Sequence, residues 1–190
     1  GPGLGRSDDL VAIVHDLWKT LSMPAVIDAD ALWALAQNSE WQKVKHCGVR
    51  VLTPHAGELQ YLLGNNPSRQ LSQPRKDLEH AAIRLAEEAG VVIVLKGPAS
   101  LVTDGTASTH NETGNPGMAT AGTGDVLTGI ITALVGQQLS AFDAARLGTW
   151  IHGAAGDVAC SECGEFSLTA SQVINSLSIP IMRCVTMRNT

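Results

Sequence analysis

The sequence has no run of lysine or arginine; 13 basic residues are spread thinly against 18 acidic ones, for a formal net charge of −5. A protein that tracks a phosphate backbone concentrates its cations, so nucleic-acid binding is not expected. Long apolar runs are missing too. The longest stretches, such as Val91 to Leu95, fall far short of the ~20 residues that a membrane-spanning helix requires. The N-terminus also lacks a basic segment followed by an apolar one, so a soluble cytoplasmic protein with no membrane partner is expected. Cysteine is scarce, and Cys47, Cys160, Cys163 and Cys184 are too scattered to form a disulfide scaffold. Cys160-Ser-Glu-Cys163 has zinc-like spacing but no second pair or nearby histidine pair, so free thiols and no metal site are the reading. There is no internal repeat, low-complexity tract or interdomain linker. What remains, 44% hydrophobic and 16% charged over 190 residues, is enough to bury one core and argues for a single domain spanning 1–190.

Helical and extended segments alternate, as a mostly parallel sheet with covering helices demands, because parallel strands need long crossovers. Ser7 is a good N-cap, and Leu10, Val14, Leu17 and Leu21 fall on one face of a helix that stops before Pro24. Ala25-Val26-Ile27 predicts a buried strand ending at Asp28-Ala-Asp30, with a helix from about Ala31. Asp28 and Asp30 suit either the neighbourhood of Mg²⁺ or a helix cap, and capping suits Asp30 better. Val49 to Leu52 predicts a second strand, closed by Thr53-Pro54-His55 and followed by a helix over Gly57 to Leu63. Gly64 to Pro74 reads as a loop, and Leu78, Ala82, Leu85 and Ala89 as the buried face of the next helix. Val91 to Leu95, nearly all β-branched, predicts a central strand buried on both faces that leads into Lys96-Gly97. Ser100–Thr103 and Thr106–Thr109 predict a hairpin turning at Asp104-Gly105. Helices follow from about Ala141 to Cys160 and from near Thr169, and the tail 180–190 is expected to be poorly ordered. Trp18, Trp33, Trp41 and Trp150 are scattered and read as core or interface residues.

The most informative stretch runs from Gly114 to Asp125, where glycines alternate with threonine and asparagine before an acid opens an apolar helix. Glycines let backbone N–H groups approach an anion closely, and a helix N-terminus adds a positive dipole. That is a phosphate cradle in physical terms. Asp125 at its end sits where a carboxylate could accept the proton of a hydroxyl attacking a phosphoryl group; the plain alternative is that it caps the helix. No Gly-Lys-Ser/Thr follows the glycines, so this is not a Walker loop, and Gly122-Thr123-Gly124 lacks the βα context of a Rossmann fingerprint. Lys96 could offer a point charge to phosphate oxygens, or be a solvated residue at a strand end. His55 stands at a strand end, where α/β clefts open, and Glu58 suits a helix-terminal charge or a site residue equally. No motif frames His152 and Asp157, so both read as structural.

Five motifs occur together and in order: Gly1-Pro-Gly-Leu-Gly5, Asp28-Ala-Asp30, Thr53-Pro-His-Ala-Gly-Glu58, Leu95-Lys-Gly97 and Asn115-Pro-Gly-Met-Ala-Thr-Ala-Gly-Thr-Gly-Asp125. In this the sequence resembles the ribokinase-like superfamily and, within it, the nucleotide-dependent NAD(P)H-hydrate dehydratases. The resemblance covers essentially the whole chain and weakens after Thr169. It implies a ribokinase-like three-layer α/β/α fold and an enzyme that uses ATP or ADP with Mg²⁺ to restore hydrated NADH or NADPH. Carried over by residue, it implies that Lys96, Gly97, Pro98, Ala99, Ser100, Gly122, Thr123 and Gly124 contact the nucleotide. Gly3, His55 and Asp125 would face the hydrated dinucleotide, with Asp125 as the base.

The family's domain ordinarily begins well before its Gly-Pro-Gly motif, so the N-terminal part of the fold, roughly a third, is expected to be missing here. The sheet edge left by that absence would expose backbone groups and apolar surface, which predicts self-association into a homo-oligomer or poor solubility. Two other readings are compatible with the motifs: a kinase of the same superfamily acting on a small alcohol, and a nucleotide-binding module without turnover.

Overall fold

Val51, Val92, Val94 and Val102 pack on one face of the sheet, Leu52, Ile93, Leu95 and Leu101 on the other, and this alternation divides the molecule into layers. The computed structural model describes residues 1–64 and 74–187. In chain order its regular elements are α1 (Asp8–Thr20), β1 (Ala25–Ile27), α2 (Asp30–Leu35), β2 (Arg50–Leu52), α3 (Ala56–Leu62), α4 (Arg75–Ala89), β3 (Val92–Leu95), β4 (Leu101–Thr103), β5 (Ser108–His110), α5 (Thr123–Gly136), α6 (Ala141–Cys163), α7 (Ala170–Ser176) and α8 (Ser178–Met187), with short 3₁₀ turns between some of them.

The strands lie side by side in chain order. β1, β2 and β3 are parallel, with Val26 opposite Val51 and Leu52 opposite Ile93. β4 runs antiparallel to β3, and β5 antiparallel to β4, so β4 alone opposes the common direction. The hairpin is offset from its predicted bounds. Thr103 pairs with Ser108, and Asp104 Oδ1 closes the turn by accepting from the backbone of Thr106 and Ala107. The leucine face packs under α1 to α4, and the valine face on α5 and α6, which gives the expected α/β/α layering.

Local signals explain most boundaries. Ser7 Oγ caps α1 by accepting from the Leu10 N–H. Its buried stripe is Leu10, Val14 and Trp18, however, while Leu17 lies 46% exposed; the large indole wins the face because it reaches the core and the hydrogen bond it needs, on Val44 O at 2.9 Å. Trp41 is buried edge-on to Trp18, with ring centroids 5.4 Å apart. α4 buries the predicted face. The tail departs from expectation: residues 178–187 form α8 against α6 and α7, and the rest, 188–190, lies outside the described residues, as do 65–73 of the predicted loop. Among the described residues no helix is long and apolar enough to cross a membrane.

Candidate active site

β1, β2 and β3 end at one edge of the sheet, the edge at which open α/β sheets bind ligands. Their carboxyl ends carry Asp28, Thr53-Pro54-His55 and Lys96. Asp28, only 2% exposed, accepts from Lys96 Nζ at 2.8 Å through one oxygen and from the Thr128 hydroxyl of α5 at 3.0 Å through the other. Its carboxylate therefore does not cap a helix: both oxygens are engaged by Lys96 and Thr128. Lys96 is not a solvated strand end: its side chain is 20% exposed and also lies 3.5 Å from Glu58.

His55 caps α3. Its Nδ1 accepts from the N–H groups of Gly57 and Glu58, and Glu58 Oε2 accepts in return from the His55 N–H at 2.7 Å. Glu58 thus fills the helix-terminal role, and its 3.5 Å approach to Lys96 keeps it beside the same cluster. Asp30 is the first residue of α2 rather than its cap, a place held by Ala29 without a side-chain bond. Its carboxylate instead accepts from the Gly5 N–H at 2.9 Å, which ties the Gly1–Gly5 turn, with Gly3 at φ 76°, to the same end of the sheet.

The glycine-rich segment delivers the N-terminus of α5 to this cluster. Gly122, at φ 88°, is the N-cap and makes no side-chain cap bond; the left-handed backbone there favours glycine. Thr123 Oγ1 donates to the carbonyls of Met118 and Thr120 and so closes the turn. Asp125 follows in the first helical turn, exposed, with no hydrogen bond or ion pair among the described residues. The capping reading of Asp125 therefore fails: its carboxylate is uncommitted. A Cβ on Gly124 would stand 3.6 Å from Lys96 Nζ, so the ammonium lies against this turn and adds charge to its dipole.

Lys96 to Ser100 form the adjoining loop. Ser100 Oγ donates to Gly97 O at 3.0 Å, and Gly97 and Ala99 both have positive φ. Arg75 of α4 clamps its start through the carbonyls of Leu95 and Lys96. Sequence reasoning missed this arginine, because nothing local marks a residue whose partners lie twenty positions away. An open groove of about 880 Å³ between β5 and α6, lined by Val102, Leu147 and Trp150 among others, shares no residue with the cluster.

α6 holds the glycine-rich segment from behind. Asp157 accepts from the Gly114 N–H at 2.9 Å and from Asn115 Nδ2 at 3.0 Å. A Cβ on Gly153 would overlap Thr113, and one on Gly156 would overlap Met118, so the loop lies directly on the helix backbone. The structural role expected of Asp157 is thus a tether on the loop, and Gly153 and Gly156 are the signal that could have located it. His152 sits on the same helix beside the Thr123 backbone, with Nε2 buried and unpartnered. Burial, helped by the nearby Lys96 charge, pushes its imidazole down to about 4. A base with a depressed folded-state value takes up protons on unfolding, so it adds stability at neutral pH that is lost as pH falls from about 6.5 toward 4. Between pH 7 and pH 5 the unfolding free energy should drop by about 2 kcal/mol more in the wild type than in His152→Gln. Urea titrations at the two pH values check this, and parallel losses in both proteins would refute it.

The family model described as NAD(P)H-hydrate dehydratase matches residues 1–178. The bifunctional NAD(P)H-hydrate repair enzyme of Moorella thermoacetica is 44% identical over 178 residues, covering 93% of this chain and 33% of that protein. The chain thus spans about a third of the length of the first curated relatives it matches. The ADP/ATP-dependent NAD(P)H-hydrate dehydratase of Bacillus subtilis, co-crystallized with ATP/Mg²⁺ and soaked with CoA, superposes with a TM-score of 0.80 at 27% identity, over 96% of this chain and 64% of that one. A ribokinase-like superfamily protein of Enterococcus faecalis superposes with a TM-score of 0.71 at 25% identity, over 96% of this chain and 60% of that one; the fold is ribokinase-like.

Proposed function

The chain belongs to the NAD(P)H-hydrate dehydratase family, and from that premise we propose that it restores hydrated NADH or NADPH in the cytoplasm, using ATP or ADP to convert a poor leaving group into a good one. The observation that carries this reading is the uncommitted Asp125 carboxylate in the first turn of a helix that starts on bare glycine. In the proposed reaction the hydroxyl oxygen of the hydrated ring attacks the terminal phosphoryl group of the nucleotide, and Asp125 accepts the hydroxyl proton. The nucleotide leaves one phosphate shorter. The carbon–oxygen bond then breaks to release inorganic phosphate, the neighbouring carbon gives up a proton, and the ring double bond returns.

The chain's own groups supply the rest. The N–H groups at the start of α5 and the Lys96 ammonium meet the phosphoryl oxygens, the 97–100 backbone lies against the nucleotide, and Gly3 and His55 face the dinucleotide. Among the described residues no three His, Cys, Asp or Glu side chains gather as a metal cage. A Mg²⁺ that accompanies the nucleotide would find in Asp125 a site carboxylate with uncommitted oxygens. Bound there, it would neutralise phosphate charge. The four cysteines are all free thiols, which suits a reducing compartment. A homo-oligomer is part of the proposal: Ile13, Leu17, Met23 and Val49 leave apolar side chains exposed on α1 and at the entrances to β1 and β2.

The test incubates the protein with hydrated NADH, Mg²⁺ and either ATP or ADP, following dihydronicotinamide absorbance and free phosphate together. Return of absorbance with stoichiometric phosphate supports the reading. Accumulation of a phosphorylated alcohol would replace it with a kinase.

Gly124→Ala separates fold from function. The added methyl meets Lys96 Nζ at 3.6 Å and Asp28 Oδ2 at 3.9 Å, ordinary contact distances, and alanine favours a helix by up to about 1 kcal/mol over glycine. Thermal stability should hold or rise. ADP affinity, measured by calorimetry, should fall by at least about tenfold, because the methyl occupies the surface that the phosphate approaches. Unchanged affinity would move the phosphate site off this turn.

A further inference from the structure

Asp28 is the buried charge on which the site's cation hangs, and the hydrogen bond that steadies it comes from α5 itself. Thr128 lies one turn beyond Gly124 and donates to Asp28 Oδ2, while Asp28 Oδ1 holds Lys96 Nζ. The helix whose first N–H groups would meet a phosphate therefore also sets, through a hydroxyl and a carboxylate, where the ammonium stands. Without that link the flexible lysine stem has another anchor close by, Glu58 at 3.5 Å, which belongs to α3 and the His55 cap rather than to α5.

We infer that Thr128 is a positioning residue for nucleotide binding: it fixes the Asp28 carboxylate, which aims the Lys96 ammonium at the anion held by the N-terminus of α5. The inference rests on reading that N-terminus as the phosphate site. The hydroxyl is the operative group. Serine keeps the donor; valine keeps the shape and removes it, leaving Asp28 Oδ2 buried without that partner.

The test uses the chain with Thr128→Val, Thr128→Ser and Asp28→Asn. Acylation of Lys96 by acetic anhydride at fixed pH is followed by peptide mass spectrometry, with and without ADP, and Lys19, Lys43, Lys45 and Lys76 serve as internal references. ADP affinity is measured by calorimetry, and kcat and KM with hydrated NADH by absorbance. Thr128→Val should speed Lys96 acylation without changing the reference lysines, and weaken ADP binding by at least about tenfold, as expected when a hydrogen bond to a buried charge is lost. The KM for nucleotide should rise more than kcat falls, and Thr128→Ser should match the wild type.

Should Thr128→Val fail to fold, Asp28→Asn carries the same readout. Wild-type acylation and ADP affinity in Thr128→Val, or in Asp28→Asn where that stands in, would overturn the inference while leaving the function intact. A serine variant as impaired as valine would also overturn it. Failure of the wild type itself to bind ADP would remove the phosphate site, and this inference with it. ADP binding that leaves wild-type Lys96 as reactive as before would show that the ammonium does not meet the anion, and would overturn the inference together with the role given to Lys96, while leaving the proposed reaction and Asp125 in place.

Discussion

Replacing Asp125 with alanine is expected to lower kcat by about 10²–10⁴, the range for removing a general base, while the protein stays folded. Its carboxylate is exposed and bonded to nothing among the described residues, so truncation leaves no partner unsatisfied. The unfolding free energy should stay within about 0.5 kcal/mol of wild type, as for other surface substitutions. Asp125→Asn should lose about as much activity, because the amide keeps the shape but cannot take a proton. The measurement is the hydrated-NADH assay beside a urea titration. Activity within about threefold of wild type in both variants would dismiss Asp125 as the base, since a general base contributes far more than that. Activity lost together with stability would instead return it to a structural role.

The second large effect lies at the opposite end of the sheet. Arg50 of β2 is 1% exposed, and its guanidinium donates to the carbonyls of Leu17, Trp18, Leu21, Met23 and Val49. A helix leaves its last carbonyls without intrahelical partners, and this fork satisfies those at the end of α1 together with the chain that follows it. Gly48 makes room for it: a Cβ there would lie 2.6 Å from Ser22 O and 2.7 Å from Arg50 Nη1. Burial holds the guanidinium below its ordinary value, yet arginine keeps its proton. Arg50→Met should fill much of the volume but strand the Trp18, Leu21 and Met23 carbonyls, while Leu17 O and Val49 O keep the N–H groups of Leu21 and Ala25, at a cost of about 3–4 kcal/mol. That is a large part of the ~5–15 kcal/mol that holds a typical domain together. Arg50→Lys should recover part of the loss, since an ammonium donates but cannot span the fork. Urea unfolding measures both. A loss below about 1 kcal/mol in Arg50→Met would mean that water reaches these carbonyls.

Ser7, Thr169 and the glycine-rich approach to α5 were legible because a cap or a tight turn is decided by neighbours a few positions apart. The β-branched run before Lys96 was legible because burial on both faces leaves a continuous apolar mark. Leu17 and Asp30 were misassigned for a common reason. Periodicity says that a residue lies on a face, and composition that it can cap, but neither says what waits across the gap: Trp18 had a carbonyl to reach, and Asp30 had the Gly5 N–H. The helical tail was missed because its apolar residues are weakly patterned until α6 and α7 stand beside them.

From the sequence alone came the layered α/β class, the glycine-rich turn that opens α5 and Asp125 as the candidate base, since each rests on residue types close together in the chain. The tertiary structure alone decided which charges gather beside the start of α5. Asp28, Lys96 and Thr128 are separated by 68 and 100 positions, and Asp157 reaches the loop across 43. No local propensity encodes such meetings. They arise because the parallel crossovers bring the strand ends to one edge and pack α5 and α6 against one face of the sheet, so that a buried carboxylate finds the partners its desolvation demands.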